Sequence, residues 1–417
     1  MIPNLGRSWR NFDWPMLVGV IAILAFGITC ISSVNHGDAI RQVINLVPAV
    51  VAMGFFIFYG YDWLDGRPAW VIYWITVVLL LAVDLHGHAA LGAQRWLQFG
   101  PMKVQPSEYA KLGLIIILAK VLSEKNVHSP EGLVQSLAVV GFPALLIFKQ
   151  PDLGTSLVFG AITLAMLYWA GLAAGTIVRM LSPVFSLALC LPFVLSDDPT
   201  MHKLALAAWA VYLIGLAVWL FLNRKQHWGV PLALWLTNLA SGAAIPLAWK
   251  VLKEYQKNRI RTFISPEADP LGSGYHVIQS KIAIGSGGIL GKGLYHGTQT
   301  QLRFIPEQHT DFIFSVVGEE LGFIAATVLV LLFFLVIFRG LLVADRAKDK
   351  FGSLLAIGVV AMLLFHVFVN IGMATGLMPV VGIPLPLMSY GGTALMTNLT
   401  AIGLLQSISM RRKKLLF

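Results

Sequence analysis

Along the chain the apolar positions come in long unbroken blocks rather than in alternation. The first block, MLVGVIAILAFGITCISSV over 16–34, carries no charge. It is long enough to cross a bilayer as a helix, which takes about 20 mostly apolar residues. Comparable blocks lie near 14–34, 42–60, 68–85, 107–122, 133–148, 153–171, 177–195, 203–222, 229–249, 312–338, 353–375 and 386–409. The alternation that marks the strands of a membrane barrel is absent. The pattern therefore predicts an all-α polytopic membrane bundle of about twelve transmembrane helices, forming a single membrane domain over 1–417. The segments at 107–122 and 133–148 are short for full spans.

The polar stretches between the blocks set the orientation. One set of short loops carries Arg7 and Arg10, Arg67, Lys125, Arg179, Arg224 with Lys225, and Arg339 through Lys350. The same side takes the tail residues Arg411, Arg412, Lys413 and Lys414. The opposite set contains the acid-leaning NHGD and SDDP loops. By the positive-inside rule both termini are cytoplasmic. Three polar stretches then fall on the outer face: 86–106, the short 149–152, and a long loop over 250–311. The last is too rich in Ile, Phe and Tyr for a disordered linker and is expected to fold over the outer face.

Composition agrees and narrows the classes. The chain has 417 residues, 57% hydrophobic and 12% charged, about half the charge of a soluble domain. Its 30 Lys+Arg against 20 Asp+Glu give a formal charge of +10. The orientation bias accounts for this excess, and no basic segment interleaves with aromatics as a nucleic-acid groove would, so nucleic acid is excluded as a partner. Cys30 and Cys190 both lie in apolar runs and make no disulfide or zinc pattern. The first fifteen residues contain no small-residue cleavage site, so the first span is expected to be retained.

Ionisable groups at membrane depth are costly and mark candidate sites. In GAQRWLQFGPMKVQPSEYAKL (92–112), Arg95 and Lys103 lie on the outer loop, and Glu108 and Lys111 open the next helix. Their three-residue spacing puts Glu108 and Lys111 on one face, either as an ion pair at the helix dipole or as part of a phosphate site. Asp152, between Pro151 and a new helix, reads first as an N-cap. Asp269, before Pro270, reads first as a turn residue and otherwise as a general base, with Arg259, Arg261 and Lys281 near in sequence. The run IGSGGILGKG fails both phosphate-loop templates, since Leu290 stands where the last glycine belongs and Gly293 follows Lys292. His296, Glu307, His309 and Asp311 lack metal-ligand spacing. Prolines 379, 384 and 386 with Gly391 and Gly392 interrupt the last apolar block, as in helices broken beside a substrate cavity.

Five of these stretches, in order, carry a family resemblance: QPSE-x-x-K at 105–111, QPDLGTS at 150–156, DPLGSGYHVIQSKIAIGSGG at 269–288, PEQHTDFIFSVVGEELG at 306–322 and PLPLMSYGG at 384–392. The chain resembles the RodA/FtsW (SEDS) family, and its GIPLPLMSYGG and GKGLYHGTQTQLRFIPE runs are more similar to RodA. The resemblance implies a peptidoglycan glycosyltransferase of the bacterial inner membrane that polymerises lipid II on the periplasmic face and releases undecaprenyl pyrophosphate. It would work with a class B penicillin-binding protein in cell elongation. It assigns Asp269 as catalytic base, and Glu108, Lys111, Arg95, Lys103 and Asp152 as substrate-site residues. No resident cofactor is implied beyond a divalent cation such as Mg2+ or Mn2+. The family has ten spans, so an extra helix pair is expected within 177–228. Two other classes also suit a polytopic helical chain. A flippase would place its charges at mid-membrane in two related halves; a non-catalytic scaffold would tolerate loss of Asp269.

Overall fold

A computed structural model describes residues 9–86, 88–90, 93–99, 102–150, 152–196, 198–222, 228–252, 254–264, 274–302 and 304–412. The chain divides into two compact units, Met1–Gly171 with Pro270–Phe417, and Leu172–Asp269.

In the first unit the helices are α1 (Trp14–Val34), α2 (His36–Tyr59), α3 (Arg67–His86), α4 (Pro106–Glu124), α5 (Pro130–Lys149) and α6 (Leu153–Trp169). In the second are α7 (Ala174–Cys190), α8 (Pro199–Leu222), α9 (Gly229–Ala243), α10 (Ile245–Val251) and α11 (Glu254–Ile264). The first unit resumes with α12 (Tyr275–Ser286), α13 (Gly322–Asp345), α14 (Lys350–Ala374) and α15 (Gly392–Met410). Among the described residues, eight helices are suited by length and composition to cross a membrane, or nine if α9 and α10, bent by 51°, form one span. That is fewer than the twelve expected. Helix α4 carries Glu108, Lys111, Lys120 and Glu124, α6 has only 17 residues, and α15 is rich in Thr, Asn, Gln and Ser.

Local chemistry explains where these helices start. Asp13 caps α1 by accepting from the Met16 amide at 3.0 Å, with Pro15 in the first turn. Asn35 both ends α1 and starts α2: its amide donates to the Ile31 carbonyl and its side chain accepts from the Gly37 amide. Ser129 and Asp349 cap α5 and α14 in the same way.

The stretch at 86–106, expected on the outer face, departs from the purely helical expectation. It holds a three-stranded antiparallel sheet, β1 (His88–Ala90), β2 (Ala93–Phe99) and β3 (Met102–Val104), in the order β1-β2-β3. His88 pairs with Trp96, Leu97 with Val104 and Phe99 with Met102. Seven residues of β2 are too few to stand out against the surrounding apolar blocks. The stretch expected as one outer loop over 250–311 is also structured, with α11 in the second unit, α12 in the first and a short helix at Thr298–Gln301.

The centre of the first unit is α14. It is 78% buried over its most apolar window, against 17% for α2, and packs on α13, α6, α4 and α15. Helices α4 and α15 are buried along most of their length as well. Near the start of α1, Asp13 receives both Nε and Nη2 of Arg339 at 2.8–3.0 Å, while Gln406 bridges the Asp13 amide and carbonyl. This ties α1, α13 and α15 together. In the second unit, α7, α8 and α9 close around Asn238, which is fully buried and donates to Ser182 Oγ and accepts from Tyr212. Trp209 donates to Ser186, whose hydroxyl donates to the Asn238 carbonyl. Such internal partners are what polar groups need where water is excluded.

Removing one member of the Asp13–Arg339 pair strands the other. Asp13→Ala is expected to destabilise the detergent-solubilised protein by about 3 kcal/mol, read as a lowered melting temperature, whereas breaking an exposed pair such as Lys125–Glu131 should leave the melting temperature nearly unchanged.

Candidate active site

The turn into α4 is the first part of the site. β3 ends at Val104, Gln105 takes the cap position in extended conformation, and Pro106 fills the first helical turn, where its missing N–H costs nothing. Glu108 then falls in the first turn and Lys111 one turn on. Lys111 Nζ lies 2.7 Å from Glu108 Oε1, and both side chains are almost fully buried. The pairing expected from their spacing is therefore present. A second partner comes from α14, where His366 Nε2 lies 3.1 Å from the same ammonium. At 1% exposure the Lys111 ammonium is enclosed by protein and turned toward Glu108 and His366.

Asp152 caps α6, accepting from the Thr155 amide at 3.2 Å and hydroxyl at 2.9 Å. The local reading of this residue therefore holds. Two residues on, Gly154 lets α6 close on the 381–383 stretch, because a Cβ there would stand 2.9 Å from the Val381 carbonyl oxygen. Asp269 lies outside the described residues. Arg95 and Lys103 belong to β2 and β3, and their side chains lie outside the described set. Of the cations near Asp269 in sequence, Arg259 and Arg261 belong to α11 of the second unit, and Lys281 to α12 of the first. His276, also on α12, stacks on Phe312 with centroids 6.2 Å apart. Burial holds its pKa below the usual value, with Glu307 acting in the opposite direction.

The interrupted last block is an ordered loop. Ser389 Oγ accepts from the Leu385 amide at 2.8 Å and donates to the Thr310 carbonyl at 2.6 Å. The Tyr390 amide donates to the His309 carbonyl, and Gln42 clamps the Ser389 carbonyl and Gly391 amide. Asn370 donates to the carbonyls of Asp311 and Ile383. PEQHTD and PLPLMSYGG, 73 or more residues apart in the chain, are thus joined by Ser389 Oγ and by a main-chain hydrogen bond.

Glycine explains IGSGG and GEELG together. The amides of Lys292 and Gly293 donate to the carbonyls of Glu319 and Glu320, and those of Phe323 and Ile324 donate back to Gly288 and Ile289. A Cβ on Gly322, whose φ is +75°, would stand 2.2 Å from the Gly291 nitrogen, so this docking admits no side chain. Beside it the buried Glu319 carboxylate gathers the amides of Gln299 and Thr300, the hydroxyls of Thr298 and Thr300, and Lys292 Nζ at 2.8–3.2 Å. Glu320 accepts from Ser33 Oγ at 2.7 Å. Sequence reasoning missed Glu319, Glu320, Lys292 and His366. An ionisable residue inside an apolar helix was the available signal for His366.

This geometry defines the class: a multi-pass helical membrane protein with a buried ion pair near the start of a central helix. Comparison with known proteins identifies the family. The family model FTSW_RODA_SPOVE, described as cell cycle protein, matches residues 9–201 and 201–414, so the chain belongs to the FtsW/RodA/SpoVE family. It is 37% identical to the peptidoglycan glycosyltransferase MrdB of Escherichia coli K12, over 99% of this chain and 98% of that protein. It is 36% identical to the peptidoglycan glycosyltransferase RodA of Treponema pallidum, over 97% and 99%. Among solved structures it is similar, at 30% identity and a TM-score of 0.72, to one described as structural coordination of polymerization and crosslinking by a peptidoglycan synthase complex, covering 97% of this chain and 99% of that one. A point mutant of the rod shape determining protein RodA of Thermus thermophilus aligns with a TM-score of 0.63 at 25% identity, over 97% of this chain and 99% of that one.

Glu108→Gln leaves the Lys111 ammonium buried without its counter-charge, a change expected to cost about 3–5 kcal/mol. Glu108→Gln/Lys111→Met removes both charges and should recover much of that loss in a melting experiment, although each variant is expected to lose activity.

Proposed function

We propose that this chain is a peptidoglycan glycosyltransferase that joins lipid II units into glycan strands during cell elongation. It acts at the periplasmic face of the inner membrane, with both termini in the cytoplasm. The observation that carries this reading is the full-length similarity to proteins named for that activity, together with the buried Glu108–Lys111 pair in the QPSE-x-x-K stretch.

In the reaction, the 4-hydroxyl oxygen of one lipid-linked disaccharide bonds to the anomeric carbon of another. The bond from that carbon to the pyrophosphate breaks, and undecaprenyl pyrophosphate leaves with the electron pair. Asp269 takes the hydroxyl proton as general base, a role typically contributing about 10²- to 10⁴-fold. The leaving pyrophosphate needs positive charge held in place before it forms. Arg95 and Lys103, on the strands that precede α4, supply it.

Burial changes the part expected of Lys111. Its ammonium is turned to Glu108 and His366, so it serves the site by fixing the start of the helix that follows β3 rather than by touching phosphate. Asp152 caps α6 against the 381–383 stretch and shapes the same unit. Among the described residues no group of three or more His, Cys, Asp or Glu side chains is gathered to hold a metal ion.

The partner is a class B penicillin-binding protein that cross-links the glycan, a reading supported by the similarity to a structure that couples polymerization and crosslinking.

The test is polymerisation of lipid II by purified full-length protein in detergent, with and without the transpeptidase. Asp269→Ala should lower glycan polymer at least about 10²-fold at an unchanged melting temperature. Polymerisation at the wild-type rate by this variant would remove Asp269 from the mechanism, and absence of polymer from the wild type with its partner would remove the activity itself.

A further inference from the structure

One buried ionisable group has no part in the reaction as written. His366 lies on α14, 3% exposed, with Nε2 3.1 Å from Lys111 Nζ and 255 residues away in the chain. An ammonium has three donors and no acceptor, so the imidazole accepts through Nε2 and carries its proton on Nδ1. An imidazolium here would face a like charge at 3.1 Å with almost no solvent between them.

Three features make this contact directional. Glu108 and Lys111 share one helix, and a three-residue pair alone leaves a long flexible side chain free to swing about its carboxylate. His366 supplies a second fixed point from another helix. The helices are also held close: a Cβ on Gly358, two turns before His366 on α14, would stand 2.7 Å from Ile115 Cγ2, one turn after Lys111 on α4. Finally, His366 Nδ1 makes no hydrogen bond of good geometry among the described residues; the ring also interacts with the Met362 backbone one turn back on α14, which leaves Nε2 to Lys111.

We propose that His366 is a positioning residue, the acceptor that, with Glu108, fixes the Lys111 ammonium and so locks the start of α4 onto α14. This rests on reading Glu108 and Lys111 as part of a lipid II polymerase. The chemistry requires an acceptor at the Nε2 position and excludes a cation there. Gln supplies the acceptor through its amide oxygen; Leu does not.

The experiment compares His366→Leu and His366→Gln in the wild-type chain, and His366→Leu in the Glu108→Gln/Lys111→Met background. Melting temperature and lipid II polymerisation are measured on the full-length protein in detergent. His366→Leu should lower kcat roughly 10- to 100-fold with little change in KM and reduce the melting temperature by about 2–4 °C. His366→Gln should restore most of both. In the background without the two charges, His366→Leu should leave the melting temperature where it was, because there is no ammonium to strand. Should His366→Leu alone fail to fold, recovery of folded protein in the uncharged background is expected, and continued misfolding overturns the proposal.

Equal melting losses in the two backgrounds, or a Gln variant no better than Leu, also overturn it. The melting comparison does not depend on activity. Coupling between His366 and the pair in a chain that makes no polymer would sink the polymerase reading while leaving the contact standing.

Discussion

A charge enclosed among apolar helices must be neutralised within the protein, because no water is there to solvate it. In this chain that constraint falls on Lys111, at the second turn of the helix α4 that runs through the middle of the first unit. Glu108 supplies the counter-charge and His366 the second acceptor. Satisfying the ammonium therefore fixes how α4 turns about its axis and how it meets α14. Helix α14 in turn contacts α6, α13 and α15, so the orientation of one lysine propagates through the packing of the unit.

Away from that pair, the stretches 288–293, 319–324 and 383–391 of the same unit are held largely by hydrogen bonds to main-chain groups. The 288–293 and 319–324 stretches dock through four main-chain hydrogen bonds at a distance that only glycine permits, and PEQHTD meets PLPLMSYGG through Ser389 and Tyr390, with Asn370 linking Asp311 to Ile383. The buried Glu319 carboxylate closes the structure by taking up the amides of Gln299 and Thr300.

Some of this was legible in the chain itself, and the boundary is physical. The Glu108–Lys111 pair and the Asp152 cap depend on neighbours three residues away, and helix geometry alone brings those together. The glycine run could be cleared of a nucleotide role by its spacing, yet its docking onto GEELG could not be foreseen, because the partner carbonyls lie about thirty residues on. The twelve apolar blocks located helices well. They did not establish how many of those helices span a membrane, since α4 and α15 carry the polar side chains that make them central and lower their apolar character. The small sheet at 88–104 was missed because its strands are short and lie between strong helical signals.

By itself, then, the sequence determined that the chain is a helical membrane protein, where its helices lie, and which local pairs and caps form. Bilayer thickness and helix period impose those features on any chain with this pattern. Only the tertiary structure decided that His366 faces Lys111, that Glu319 gathers the 298–300 turn, and that Lys111 is enclosed rather than open to a phosphate. Helix α14 is apolar on nearly every side, so its pattern does not say which face meets which neighbour. That choice is made by shape, by close approach at glycines such as Gly358, and by the need to satisfy each buried charge across helices far apart in the chain.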